Sequence, residues 1–251
     1  MHVVDIIILS YAKNDYLKGI TQQAIDSLMT SEDPKLVQFN VLVIESNKDL
    51  SPYQYPQART IYPAPKFGFH RYLNIGIKMT SNPFVCLCNN DLIFEKHWAS
   101  EILRAMEQDP LLLSASPFCP RFHHERHFIR YAKPLLGYKD NQALVGWCIF
   151  VRRAIFDTIG ELDERFEFWY CDWDYAKTLQ HYGIRHCLIS SSFVTHLSGE
   201  SLRTLDSKTN EELTSKQEMY FHYKWQHRSR VRYWLSRCRF VFNSALRDLN
   251  R

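Results

Sequence analysis

Glycine is scarce, with 8 residues in 251, and none falls into the patterns through which backbone N–H groups cradle a phosphate in P-loop or dinucleotide-binding proteins. A bound diphosphate would therefore need a metal or basic side chains to offset its charge. No run of about 18 apolar residues occurs. The opening MHVVDIIILSYAKND lacks the charged start and small-residue cleavage site of a secretory leader, and its apolar stretch from Val3 to Leu9 is too short to span a bilayer. The seven cysteines (Cys86, Cys88, Cys119, Cys148, Cys171, Cys187 and Cys238) show no C-x-x-C spacing. That argues against a disulfide framework or a structural zinc site and predicts a reducing, cytoplasmic setting. Internal repeats and low-complexity tracts are also missing.

What is present is 45% hydrophobic residues, enough to bury a sizeable core. The net charge of +4 is unevenly spread: from Lys216 to Arg251 nine Lys or Arg face only Glu218 and Asp248, giving +7, so the remainder carries −3. Such an end suits phosphate groups, an anionic membrane face or nucleic acid, and charge alone does not separate them. Within it Val231, Trp234, Leu235, Cys238, Val241, Phe242, Ala245 and Leu249 recur at helical spacing with arginines between them. This predicts a basic amphipathic helical tail over 216–251, either packed on the domain, docked peripherally on a membrane, or set against nucleic acid.

Three segments share one design. VVDIIILSY, FNVLVIESN and PFVCLCNND are β-branched and aliphatic runs that each end in polar residues, as central parallel strands buried on both faces do. Helical spacing in DYLKGITQQAIDSLMT and FGFHRYLNIGIKMTS links them into right-handed βαβ units, while Lys48 to Pro65, with four prolines, reads as a loop. Ligands of open α/β sheets bind beyond the carboxyl ends of the strands. Ser10, Tyr11, Glu45, Asn47, Asn89, Asn90 and Asp91 are therefore expected to converge on one crevice, although any one of them alone could simply start a loop.

In the second half, GWCIFVRRAIFDTIG reads as a strand turning into a helix. ELDERFEFWYCDWDYAKTLQHYG sets acids and aromatics (Phe166, Phe168, Trp169, Trp173) at a helix start, where Asp172 and Asp174 could also serve as helix caps. IRHCLISSSFVTHLSGES gives a further strand ending at His196. The cluster RFHHERHF (121–128) reads as a solvated or acceptor-facing loop.

Together these segments resemble the family 2 glycosyltransferases, from Asp5 to about Trp225, in a rhamnosyltransferase-like variant. The most specific stretch is Gly146 to Gly183, where the spacing from VRR through IGELDE to DWDY is kept. The resemblance implies a GT-A fold: α/β, with a Rossmann-like, mostly parallel central sheet flanked by helices and a C-terminal helical extension. It implies a glycosyltransferase domain over 1–215, with a nucleotide-sugar half to about 95 and an acceptor half beyond. It further implies inverting transfer of a hexosyl or deoxyhexosyl group from a nucleotide-diphosphate sugar to a glycan or glycoconjugate hydroxyl. Asp172 would be the general base, with Asp91 and His196 as ligands of a divalent metal (Mn2+ or Mg2+). Ser10, Tyr11, Glu45, Asn47, Gly68, Asn74, Asn90 and Lys224 would hold the donor, and Trp147, Trp169 and Asp174 the acceptor. Arg203 and Lys224 would add charge if Leu197 to Glu212 closes as a lid.

Two positions depart from the family pattern. Its D-x-D metal motif falls on Asn89, Asn90 and Asp91, so only the last carboxylate is kept, and Cys171 stands where an acid is usual. These departures keep open a catalytically degenerate protein that binds nucleotide sugars or glycans, and the basic tail keeps open a sugar transferase acting on nucleic-acid bases. A glycosidase would need a flanking acid pair and no nucleotide, which the three polar strand ends argue against.

Overall fold

A computed structural model describes residues 1–124, 133–139, 142–197, 207–226 and 229–249, with the backbone alone at 124, 207–213 and 243–249. Arg203, most of the expected lid and residues 125–128 of the histidine-rich segment lie outside the described residues, as do the side chains of Ala245 and Leu249.

The elements run β1 (His2–Ser10), α1 (Asp15–Met29), β2 (Val37–Glu45), β3 (Arg59–Ile61), α2 (Phe69–Lys78), β4 (Phe84–Asn89), β5 (Leu92–Phe94), α3 (Trp98–Gln108) and β6 (Leu112–Phe118). They continue with α4 (Pro120–His124), β7 (Leu135–Leu136), β8 (Cys148–Arg152), α5 (Ile155–Ile159), α6 (Cys171–Tyr182), β9 (Arg185–His196), α7 (Ser207–Trp225) and α8 (Arg230–Leu249). One sheet has the order β3-β2-β1-β4-β8-β6-β9-β5, with β7 also paired to β9. Strands β1, β2, β3, β4, β6 and β9 run one way; β5, β7 and β8 oppose them. The mixed α/β layout with a mostly parallel sheet flanked by helices is as expected. One correction concerns the proline-rich loop, which contains β3. Three residues on the sheet edge are too few to show a period in the sequence.

Alternation explains the two-sided core. Ile6 and Ile8 of β1 join the layer under α1 and α3, whereas Ile7 and Leu9 join the layer under α2, α5 and α6. Asn14 starts α1 by accepting the Leu17 N–H at 2.9 Å. In α2, Gly76 lies so close to the sheet that a Cβ there would stand 2.6 Å from Ile7 Cγ2. Cys86 and Cys88 of β4 lie 3.3 Å apart at Sγ in the core, and Cys148 of β8, distant in sequence, comes within 3.6 Å of Cys86. No described helix is long and apolar enough to cross a membrane. The expected 215/216 boundary falls inside α7.

At the amino ends of the strands, the fully buried Asp5 carboxylate ties four segments together. It accepts from Asn40 Nδ2 (2.7 Å), from the Asn82 N–H and Nδ2 (2.7 Å each), and from Arg153 Nη2 (2.7 Å). Burial pushes its pKa up, but the asparagine bonds and the Arg153 charge prevail and hold it below the ordinary carboxylate value. The folded protein thus binds this proton less readily than the unfolded chain does. The stabilisation is complete above the unfolded value of about 4 and is lost as pH falls through the lower folded value. Asp5→Ala removes the counter-charge of Arg153 and the acceptor of the Asn40 and Asn82 N–H groups, and is expected to cost about 3 kcal/mol at neutral pH, measured by urea unfolding. The deficit relative to wild type should shrink below about pH 4.

Candidate active site

Register delivers the polar strand ends to one place. Ser10 pairs with Glu45 and Leu9 with Asn89 across parallel strands. Because β8 opposes β4, with Cys88 opposite Cys148, the residues that precede β8, Gly146 and Trp147, arrive beside Asn89, whose N–H donates to the Trp147 carbonyl at 2.9 Å. Because β5 opposes β9, with Leu92 opposite His196, the imidazole meets the carboxylate just before β5. His196 Nε2 lies 3.2 Å from Asp91 Oδ1, and the Leu197 N–H donates to the Asp91 carbonyl at 2.9 Å. The Trp147 indole stacks on His196 at 5.3 Å and 15°.

These groups border a cleft of about 550 Å³. Of the expected site residues the structure brings Ser10, Tyr11, Asn90, Asp91, Trp147, Trp169, Asp172 and His196 to its walls, with Phe67, Phe69, Phe168 and Tyr170 forming an aromatic side. Apolar walls with a few convergent polar groups are the usual make-up of a small-ligand site.

Asp172 enters on the first turn of α6. Tyr170, in the left-handed region at φ 61°, turns the chain into the helix without a side-chain cap of its own, so neither aspartate is the N-cap residue. Asp172 Oδ1 instead accepts the Trp173 N–H at 3.0 Å. Its Cβ packs against Gly146 so tightly that a Cβ on the glycine would lie 2.7 Å away. The neighbouring Cys171 thiol is buried, directed at the Phe166 and Phe168 carbonyls at 3.5 Å. Burial, then the charges of Asp172 and Asp174, push its pKa up, which keeps it neutral.

Six expected site residues are placed elsewhere. Glu45 is wholly buried and its carboxylate is committed to the protein. It accepts from Ser10 Oγ (2.7 Å), Tyr55 OH (3.1 Å), the Ala12 N–H (3.1 Å) and the Asn47 N–H (2.8 Å). Asn47 donates from Nδ2 to the Ala12 carbonyl at 2.6 Å, so it latches one loop to another. Gly68 is the buried residue before α2, while its neighbours Phe67 and Phe69 face the cleft. Asn74 uses both ends of its amide on Leu162, at 2.9 Å and 3.0 Å, fastening α2 to the loop before α6. Asp174 is 2% exposed and faces α7, where it accepts from Lys224 Nζ and Trp225 Nε1 at 2.7 Å each. Lys224 also reaches Asp163 at 2.9 Å. Two carboxylates therefore already occupy the ammonium expected at a diphosphate.

Asp91 and His196 suit a hard divalent cation. A carboxylate oxygen and an imidazole nitrogen 3.2 Å apart match two adjacent corners of an octahedron with bonds of about 2.2 Å. A cation so held would take its remaining ligands from phosphate and water. The residues that sequence reading missed are Thr21 and Tyr55. Thr21 Oγ1 accepts from Asn90 Nδ2 at 2.9 Å and meets Ser10 Oγ at 2.9 Å, so it couples the ends of β1 and β4. It is the one polar residue among the buried positions Leu17, Ile20, Thr21, Ala24, Ile25 and Leu28 of α1, a signal that a helical wheel carries.

Residues 5–160 match the family described as Glycosyl transferase family 2. No curated protein sequence matches the chain. Among solved structures it is similar to GalNAc-T7 with UDP, GalNAc and Mn2+ (TM-score 0.62, 11% identity, covering 85% of this chain and 50% of that one). It is likewise similar to a mannosyltransferase from Pyrobaculum calidifontis in complex with GDP-Man and Mn2+ (TM-score 0.61, 12% identity, 90% and 65%). A third is the catalytic domain of Drosophila β1,4-galactosyltransferase 7 with xylobiose (TM-score 0.54, 12% identity, 82% and 75%). The chain thus spans half the length of the first and about two thirds of the second. The shared layout is the GT-A fold.

Lys224→Met leaves the buried Asp174 carboxylate without its ammonium and the partly buried Asp163 with the Arg165 guanidinium, and should cost about 3 kcal/mol in urea unfolding. Unchanged stability with a much weaker donor affinity would instead return Lys224 to the diphosphate.

Proposed function

We propose that this chain, which belongs to glycosyl transferase family 2, moves a sugar from a nucleoside-diphosphate donor to an acceptor hydroxyl, with inversion at the anomeric carbon. The observation that carries this reading is the shared cleft: Asp172 borders the same space as the Asp91–His196 pair. Neighbours of the same fold that hold UDP or GDP-Man with Mn2+ support it.

The donor's diphosphate lies at the Asp91 end, beyond β1 and β4, and its nucleoside against Tyr11 and the Phe67 side. A divalent cation on Asp91 and His196, Mn2+ or Mg2+, would offset the negative charge that grows on the departing diphosphate. Trp147 acts through His196, holding the ring parallel and keeping water from that side. Asp172 accepts the proton of the acceptor hydroxyl as its oxygen bonds to the anomeric carbon and the bond from that carbon to the phosphate oxygen breaks. Trp169 offers the acceptor an apolar platform, as suits a sugar of a glycan or glycoconjugate. The donor class is hexosyl or deoxyhexosyl. Gly146 is a positioning residue, because only a residue without Cβ lets the backbone before β8 pass Asp172.

With Mn2+ and a panel of nucleotide sugars, wild-type protein should release nucleoside diphosphate. Asp172→Asn should lower kcat by about 10² to 10⁴ with donor affinity kept. Loss of donor binding in that variant would remove the base assignment. Asp91→Ala should abolish metal-dependent release, and retained activity would sink the metal site. For Gly146→Ala, a kcat fall of at least about tenfold with donor affinity kept is expected, together with a lower thermal midpoint from the clash with the Asp172 Cβ. Asn89 and Cys171, where the family carries acids, favour one second reading, a nucleotide-sugar-binding protein without turnover. Thermal stabilisation by a donor that is never cleaved would select it.

A further inference from the structure

α8 turns one face to the domain. The Tyr233 ring stacks on Tyr223 at 4.7 Å and meets Tyr220 at 6.2 Å. The other face is apolar and uncovered: Val231, Trp234, Leu235, Val241 and Phe242 are 54–67% exposed. At about 100° per residue these five and Cys238 fall within a stripe roughly 120° wide, opposite Tyr233. Arginines mark both borders of the stripe, Arg232 and Arg239 on one side and Arg230 and Arg237 on the other. No acid occurs between Glu218 and Asp248.

We infer that α8 is an interfacial helix that docks this chain on a lipid bilayer carrying anionic headgroups. A bilayer surface answers both features at once. The stripe sinks into the boundary between headgroups and acyl chains, while the flanking arginines lie along that boundary with their guanidinium groups at lipid phosphates. A second copy of the chain would cover the stripe but bring eight of these arginines together, with no acid in 219–247 to offset them. A nucleic acid would meet the arginines and leave Trp234 and Phe242 in water. The helix lies in the membrane surface and does not cross it, consistent with its arginine content. The docking stands on α8 alone and does not depend on the catalytic reading.

The test uses the full chain with vesicles of phosphatidylcholine, alone or mixed with phosphatidylglycerol. Co-sedimentation is expected only with the anionic mixture, weakening as salt rises, with tryptophan emission shifting to the blue in wild type but not in Trp234→Phe. Trp234→Ser with Phe242→Ser should lower partitioning at least tenfold, and each arginine-to-glutamine change at 230, 232, 237 or 239 by about fivefold. The double variant and the changes at 230, 232 and 239 should leave the thermal midpoint unchanged, since those side chains are exposed, whereas Arg237 lies over the Tyr233 ring at 5.9 Å and its change is read by binding alone. The inference is overturned if wild type ignores both vesicle types or if the double variant binds as well as wild type. Tighter binding to duplex DNA than to the vesicles, or a concentration-dependent dimer that the double variant abolishes, would also overturn it.

Discussion

Because β8 runs against β4, the backbone that precedes it arrives at the edge of the sheet where β4 ends in polar residues. A further parallel strand there would have carried Gly146 and Trp147 to the far end. The same reversal, repeated where β5 opposes β9, sets His196 across from Leu92 and so beside Asp91. Two antiparallel pairings within a mostly parallel sheet thus place the carboxylate, the imidazole and the indole that stacks on it. The cleft lies where these reversals meet the ends of β1 and β4. Its floor is held from within by Glu45, Ser10, Thr21 and Tyr55, a buried polar network whose members all find partners.

The first turn of α6 divides two tasks between residues two apart. A two-residue step on a helix turns the side chain by about 200°, so Asp172 and Asp174 face opposite ways, one into the cleft and one into the domain. Asp174 sits in a dry setting, where burial pushes its pKa up and the Lys224 ammonium pulls it back. The hydrogen bonds that α7 makes to this turn through Lys224 and Trp225 fix the helix that carries Asp172. Substitutions at the α7 contact are therefore felt in the cleft through a change of position, with no loss of a ligand.

Much of this was legible in the sequence. The continuous apolar runs of β1, β2 and β4 announce strands covered on both sides, and their polar endings announce the crevice. What did not show was the direction in which a side chain at a strand end points. Glu45 and Ser10 end neighbouring strands in register, yet Ser10 borders the cleft and Glu45 lies beneath it, a difference set by Tyr55 and the loop amides. Asn74 and Lys224 sit in well-spaced motifs, but their partners Leu162 and Asp163 lie in a loop whose path no local pattern reveals. The cysteines looked scattered for the same reason: Cys86 and Cys88 share a strand face, and only the pairing of β4 with β8 adds Cys148. β3 is too short for any period to be read.

The Lys224 contacts also set the shortest chain that can stand alone. A version ended at residue 215 would keep every strand, but Asp163 and Asp174 would remain, partly or wholly buried, without the ammonium they share, and Phe166 would lose the cover of Tyr220 and Phe221. For expression and crystallisation the natural cut therefore falls after Trp225, in the short link before α8. There one helix can be removed without uncovering a charge.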